Sequence, residues 1–197
     1  MVATSRARYT RAEYMAFERS SNAKHEYLDG AIYAMAGGSR EHALVAVNVT
    51  TLLNVALRGR ACGVHSSDLR VRVLDTGLET YPDASVVCGA PLVDPDDPHV
   101  VLNPVVLVEV TSPSTEAYDR GDKLEHYKRI ASLREVVIVS HREQLVEVIR
   151  REEDGSWSRH EARRAGVAAL VSLGCELPVD EVYRDPLGGG EGALTRA

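Results

Sequence analysis

The chain is poor in residues that staple a fold, span a membrane or carry positive charge. It has three cysteines among 197 residues, Cys62, Cys88 and Cys175. They are odd in number, far apart and without a CxxC pair, which indicates neither a disulfide framework nor a thiolate zinc site. Reduced, buried thiols in a cytoplasmic protein are expected. No apolar run approaches the ~18–20 residues needed to cross a bilayer. The stretch MVATSRARYTRAEYMAFERSS lacks the apolar core of a signal peptide, so no membrane partner is expected. Lys+Arg number 23 against 29 Asp+Glu, a net charge of −6, which removes the simplest nucleic-acid signature, a strongly basic domain. The deficit is local. Between Val73 and Asp119 nine acidic residues meet no Lys or Arg, while the remainder holds 23 basic and 20 acidic residues.

What is present suits one globular domain. Hydrophobic residues make up 44% and charged residues 26%, enough apolar material for a core without metal or disulfide staples. A single domain is expected over residues 1–185, followed by a Gly-rich flexible tail, 186–197. Thr10 and Glu13 form a capping box that opens a helix over Thr10–Ser21. Asp29-Gly30, between segments rich in Tyr, Ile and Leu, predicts a hairpin. Ser39 caps a longer helix, Arg40 to Leu57. Leu69, Val71 and Val73 alternate with Arg70 and Arg72 as in a half-exposed strand, and 84–88 reads as another strand. The loop Pro91–Pro98 reads as solvated. The run Pro104–Thr111 reads as a central strand covered on both faces. A helix is expected from Asp119 to Ala131, then two paired strands (135–140 and 144–150), a hairpin at Asp154-Gly155 and a short helix at Val182-Tyr183. The order predicts an α/β (α+β) domain with a mixed β-sheet flanked by helices.

One constellation carries chemistry. Glu109 lies inside the apolar strand, where a carboxylate costs several kcal/mol unless it is paired or bound to a cation. It admits two readings: an ion pair with Arg70 or Arg72, or a strand end reaching water, against a hard-metal ligand. Asp83 follows Pro82 at a strand start. If the two strands are neighbours, both carboxylates project together and repel unless a divalent ion neutralises them. Lys123, four residues after Asp119 and four before Tyr127, is either half of a solvated ion pair or a cation reaching back to the strand tips. His25, His65, His99, His126, His141 and His160 form no HExxH spacing, and neither Ser39 nor Ser112 sits in a GxSxG elbow.

PDASVV, PVVLVEVTSPST and DRGDKLEHY, with EYLDGAIYAMAGGSREH upstream and a closing VYRD, resemble the Uma family of bacterial restriction-endonuclease-like proteins in the PD-(D/E)XK nuclease superfamily. The resemblance covers roughly residues 10–184. It implies a restriction-endonuclease-like core in which Asp83, Glu109 and the backbone carbonyl of Val110 bind Mg²⁺ or Mn²⁺. The superfamily lysine normally stands two residues after the glutamate, where this chain has Thr111; Lys123 of the following helix matches the lysine the family uses instead. Glu26 and His42 match other recurring positions and are candidate catalytic residues. The plainer alternatives are a Glu26–Lys24 pair and a His42 hydrogen bond to a loop carbonyl.

Two functions follow. The first is a metal-dependent endonuclease acting on DNA, with a homodimer implied by the need to cut two strands. The second is a nuclease fold that binds nucleic acid or a protein partner without cutting, motivated by Thr111 and the acidic balance. Under the first, the acidic window makes approach to the site cation-dependent and leaves Arg70 and Arg72 to meet the phosphate backbone.

Overall fold

The computed structural model describes residues 8–35 and 37–187. In chain order its elements are α1 (Arg11–Ser20), β1 (His25–Leu28), β2 (Ala31–Ala34), α2 (Arg40–Ala56), β3 (Cys62–Ser66), β4 (Arg70–Arg72), β5 (Glu79–Thr80), β6 (Ala84–Cys88), β7 (Val100–Val101), β8 (Val106–Val110), α3 (Glu116–Arg120), α4 (Asp122–Tyr127), β9 (Glu135–Val139), β10 (Leu145–Arg151), β11 (Trp157–Arg163), β12 (Val167–Leu170), β13 (Cys175–Pro178) and α5 (Val179–Val182). The architecture is the mixed α+β fold expected. Residues 188–197 of the expected tail lie outside the described residues.

The central sheet has the order β11-β10-β9-β8-β6-β3. Only β8 and β9 run parallel in it, and a parallel pair needs a crossover, here α3 and α4. Every residue of β8 and β9 is buried, which explains why they are apolar apart from Glu109 and Glu135. Val106, Val108 and Val110 pack on one face with Val45, Val49 and Leu53 of α2. Leu107 packs on the other face with Leu124 and Tyr127 of α4. A second sheet, β2-β1-β5-β4-β7, and a small β12-β13 ribbon complete the domain. At the β1–β2 turn Asp29 and Gly30 take φ of 50° and 82°, the positive values a primed hairpin turn requires.

Four expectations are corrected. The helix expected from Asp119 to Ala131 is two short helices broken at Gly121. A Cβ there would come within 2.7 Å of the Ala117 carbonyl oxygen, so the kink is reserved for glycine. Arg70 and Arg72 do not meet solvent as a half-exposed strand would. Arg70 hydrogen-bonds Asp97, Arg72 bonds Asp94, and both approach Glu79. Within the 91–98 loop Asp94 and Asp97 are correspondingly buried and neutralised, while the other residues, Asp96 included, are exposed. Cys62 and Cys88, finally, are cross-strand partners on β3 and β6 and form a disulfide, leaving Cys175 free. Their separation of 26 residues hid a register that places them side by side.

The disulfide makes the first prediction. Reducing Cys62–Cys88, or replacing Cys62 with Ser, is expected to cost about 3 kcal/mol of unfolding free energy through the loop that the bond closes. Urea denaturation with and without reductant measures it; identical midpoints would contradict the assignment.

Candidate active site

The site lies where the C-terminal end of β8 meets the start of β6. The antiparallel register pairs Ala84 with Val108, which sets Asp83 beside Glu109 and Val110 at the strand tips. An Asp83 oxygen accepts a hydrogen bond from the Val110 amide at 2.8 Å. Ser39 caps α2 by accepting from the amide of His42 at 3.2 Å. That cap aims the His42 ring so that Nε2 lies 3.2 Å from the same Asp83 oxygen. The Asp83 carboxylate raises the His42 pKa, more than burial lowers it, and the Val110 backbone adds to the rise. A Cβ on Gly38 would overlap the His42 ring, so glycine there leaves room for it.

Behind this pair sits a buried ion cluster. Lys123 Nζ lies 2.9 Å from Glu26, 3.0 Å from Glu109 and 3.6 Å from Asp119. All four side chains are at most 10% exposed. Tyr127 donates to Glu109 and Thr80 donates to Glu26, while the Tyr118 and Tyr127 rings each stand 5.9 Å from the ammonium. Gly121 lies midway between Asp119, in α3, and Lys123, in α4. Glu109 therefore pairs with neither Arg70 nor Arg72. Lys123 is no solvated partner of Asp119, and Lys24 bonds Ser67 and Asp68 rather than Glu26.

The charges do not balance. Three carboxylates, Glu26, Glu109 and Asp119, gather around one ammonium, and a fourth, Asp83, stands beside them with His42. Burial raises Glu109 to about 8, with Lys123 opposing and Asp83 and Asp119 adding to the rise. Burial raises Asp119 as well. The surrounding carboxylates hold Lys123 well above its ordinary value despite its burial. Among the described residues no three His, Cys, Asp or Glu side chains already converge as a metal cage. The donor set nevertheless fits a hard divalent cation. It is all oxygen and in negative excess, and Mg²⁺ binds through one or two carboxylates while keeping several waters.

The cluster opens onto a cleft of about 1380 Å³, above the ~300–1,000 Å³ of ordinary small-molecule pockets. Asp83, Glu109, Val110, Lys123, Glu26 and His42, the six residues singled out from the sequence, all line it. Sequence reasoning missed Thr80, which fixes Glu26, and treated Asp119 as solvated. The 119-123-127 spacing marked one helix face, but only the fold shows that this face is buried. Of the acidic window, only Asp83, Glu109 and Asp119 enter the cluster; the rest of its buried charge pairs with arginines elsewhere.

The Uma2 family model, described as "Putative restriction endonuclease", matches residues 11–180. The Synechocystis sp. protein named "Uncharacterized protein slr1290" is 37% identical over 175 residues, 87% of this chain and 90% of that one. A second Synechocystis protein, "Uncharacterized protein sll1609", is 29% identical over 157 residues, 80% of this chain and 88% of that one. The crystal structure of "a putative nuclease belonging to DUF820" from Anabaena variabilis superimposes with a TM-score of 0.71. It covers 87% of this chain and 96% of its own at 15% identity, which shows a common fold.

The site predicts the pH dependence of metal-free stability. The folded pKa of Glu109 is raised above its ordinary 4.5 to about 8, so the folded chain holds more protons than the unfolded one across that window. Its stabilisation is full below 4.5 and lost as pH rises towards 8. The raised His42 and Asp119 act with the same sign. Urea denaturation in chelator is expected to show stability falling from pH 5 to pH 8, with a shallower fall in Glu109→Gln. An equal slope in the variant would contradict the shift.

Proposed function

The chain belongs to the Uma2 family, and we propose that it is a metal-dependent endonuclease hydrolysing phosphodiester bonds in DNA. The observation that carries this reading is Asp83 beside Glu109 at paired strand tips, with the Lys123 ammonium 3.0 Å from Glu109. The nuclease-like fold and family support the reaction class. Metal dependence and the DNA substrate are our assignment. Asp83, Glu109 and the Val110 carbonyl would hold Mg²⁺ or Mn²⁺. When bound, such an ion supplies a water of lowered pKa and polarises a phosphoryl oxygen.

The chain's own groups do the positioning. Tyr127 holds Glu109 by its hydroxyl, and the Val110 amide with His42 holds Asp83. Glu26, pinned by Thr80, holds the Lys123 ammonium beside Glu109. From there the ammonium would offset charge developing on the phosphate. We place the enzyme in the cytoplasm with its DNA, as a homodimer that sets one site on each strand. Sedimentation showing only monomer with and without DNA would remove the dimer.

One observation favours a second reading, a fold that binds nucleic acid or a protein partner without cutting. Lys123 already stands among the carboxylates, and position 111 holds no lysine. Titration calorimetry with Mn²⁺ separates the readings. The enzyme is expected to show a site that Asp83→Asn removes, together with cleavage of linear or supercoiled DNA that Glu109→Ala abolishes. Cleavage surviving Glu109→Ala unchanged, or no binding at millimolar metal, rejects the first reading. RNA and small phosphodiesters assayed beside DNA test the substrate.

Lys123→Met gives an independent check. Removing the only ammonium leaves buried carboxylates unpaired and is expected to cost about 3–5 kcal/mol without metal. Mn²⁺ should restore more stability to this variant than it adds to wild type. Equal stabilisation of the two would show that the ion does not bind at this cluster.

A further inference from the structure

Thr111 stands where the superfamily pattern puts a cation, and the structure shows what it holds instead. Leu107, Glu109 and Thr111 alternate along one strand and its extension, so Glu109 and Thr111 share the face packed towards α4. Thr111 is fully buried, and its hydroxyl has one side-chain partner, His141. The oxygen accepts from the His141 amide at 3.1 Å and lies 2.8 Å from His141 Nδ1. The juxtaposition comes from the parallel register. Val110 pairs with Val139, so the chain leaving β9 passes the end of β8.

Thr111 Oγ1 accepts from the His141 amide and lies within hydrogen-bond distance of Nδ1. A hydroxyl proton directed at Nδ1 would place the ring proton on Nε2. Burial lowers the His141 pKa, with Arg142 and Arg120 acting the same way and Glu116 opposing, which favours the neutral ring. His141 lines the same cleft as Asp83, Glu109 and Lys123, and Nε2 has no partner among the described residues.

We propose that His141 is a catalytic residue of this site: its Nε2–H, oriented by Thr111, donates to a non-bridging phosphate oxygen of the bound nucleic acid. Thr111 is the positioning residue. The assignment rests on the nuclease reading above. It replaces a lysine's charge with a directed, uncharged donor, which sets it apart from a simple electrostatic contact. A neutral donor releases no counterion, so it should leave the salt dependence of binding unchanged.

The test uses the full chain, a short labelled DNA duplex, Mn²⁺ for cleavage and Ca²⁺ for binding. In His141→Ala, kcat is expected to fall by about two orders of magnitude, as for other single donors to a developing oxyanion. The slope of log Kd against log salt should match wild type. Thr111→Val should share the kcat loss and Thr111→Ser should retain activity. Nitrogen NMR of the wild type should show His141 protonated on Nε2, with the tautomer mixed in Thr111→Val. If His141→Ala does not fold, His141→Gln and the Thr111 pair give the readout. Wild-type kcat in His141→Ala beside an inactive Glu109→Ala overturns this inference and leaves the nuclease reading standing. A wild type that neither binds nor cuts nucleic acid overturns both. An Nδ1-protonated ring in the wild type overturns the inference whatever the activity.

Discussion

One ammonium held among three carboxylates is the constraint on which the rest of the site depends. Lys123 draws Glu26 from β1, Glu109 from β8 and Asp119 from α3 to within 3.6 Å of a single nitrogen. Those elements belong to both main sheets and to the crossover between β8 and β9. The contact therefore fastens the second sheet to the central one as well as building the cleft. An unpaired carboxylate at any of these positions costs several kcal/mol, so the kink at Gly121 that delivers Lys123 is as much a part of the site as the acids. Tyr127 and Thr80 donate to the same oxygens that the ammonium contacts, Oε1 of Glu109 and Oε1 of Glu26, which keeps the carboxylates oriented rather than merely neutralised.

Much of the frame was legible in the sequence because it follows from local chemistry. The capping box at Thr10, the primed turn at Asp29-Gly30 and the Ser39 cap each use side chains within a few residues of the backbone they satisfy. Glu109 was legible for the opposite reason. It violates the apolar period of its strand, and such violations collect at functional sites. Asp83 became informative only as its neighbour, which the β6–β8 register supplies.

What was not legible depended on long-range pairing. The Cys62–Cys88 bond needs the register of β3 against β6, and no spacing rule reveals it. Arg70 and Arg72 alternate with Val71 as solvated residues do, yet they are covered by a loop some twenty residues further on. The break at Gly121 was visible as a glycine inside a helical pattern. Its consequence was not, because the clash with Ala117 exists only once the helix is built. Thr111 carried a negative signal, a missing lysine, and its partner His141 lies 30 residues away with no motif of its own.

Two of the buried charge clusters among the described residues differ in how their signs balance. At α1, β4, β5 and the 91–98 loop, Arg11, Arg19, Arg70 and Arg72 face Glu79, Asp94, Asp96 and Asp97. Signs match one for one, guanidinium forks meet carboxylates, and Asp94 is held below its ordinary pKa by Arg72 and Arg11 against the cost of burial. In this network the formal charges balance, although Arg70 Nε, Arg72 Nε and Glu79 Oε2 are buried without a hydrogen-bond partner. At the strand tips four carboxylates share Lys123 and His42, and burial shifts Glu109 and Asp119 the other way, towards holding protons. Under the metal-dependent reading proposed above, a divalent ion would bind by replacing those protons. A stability that falls as pH rises and an affinity for such an ion would then both follow from the burial of Glu109.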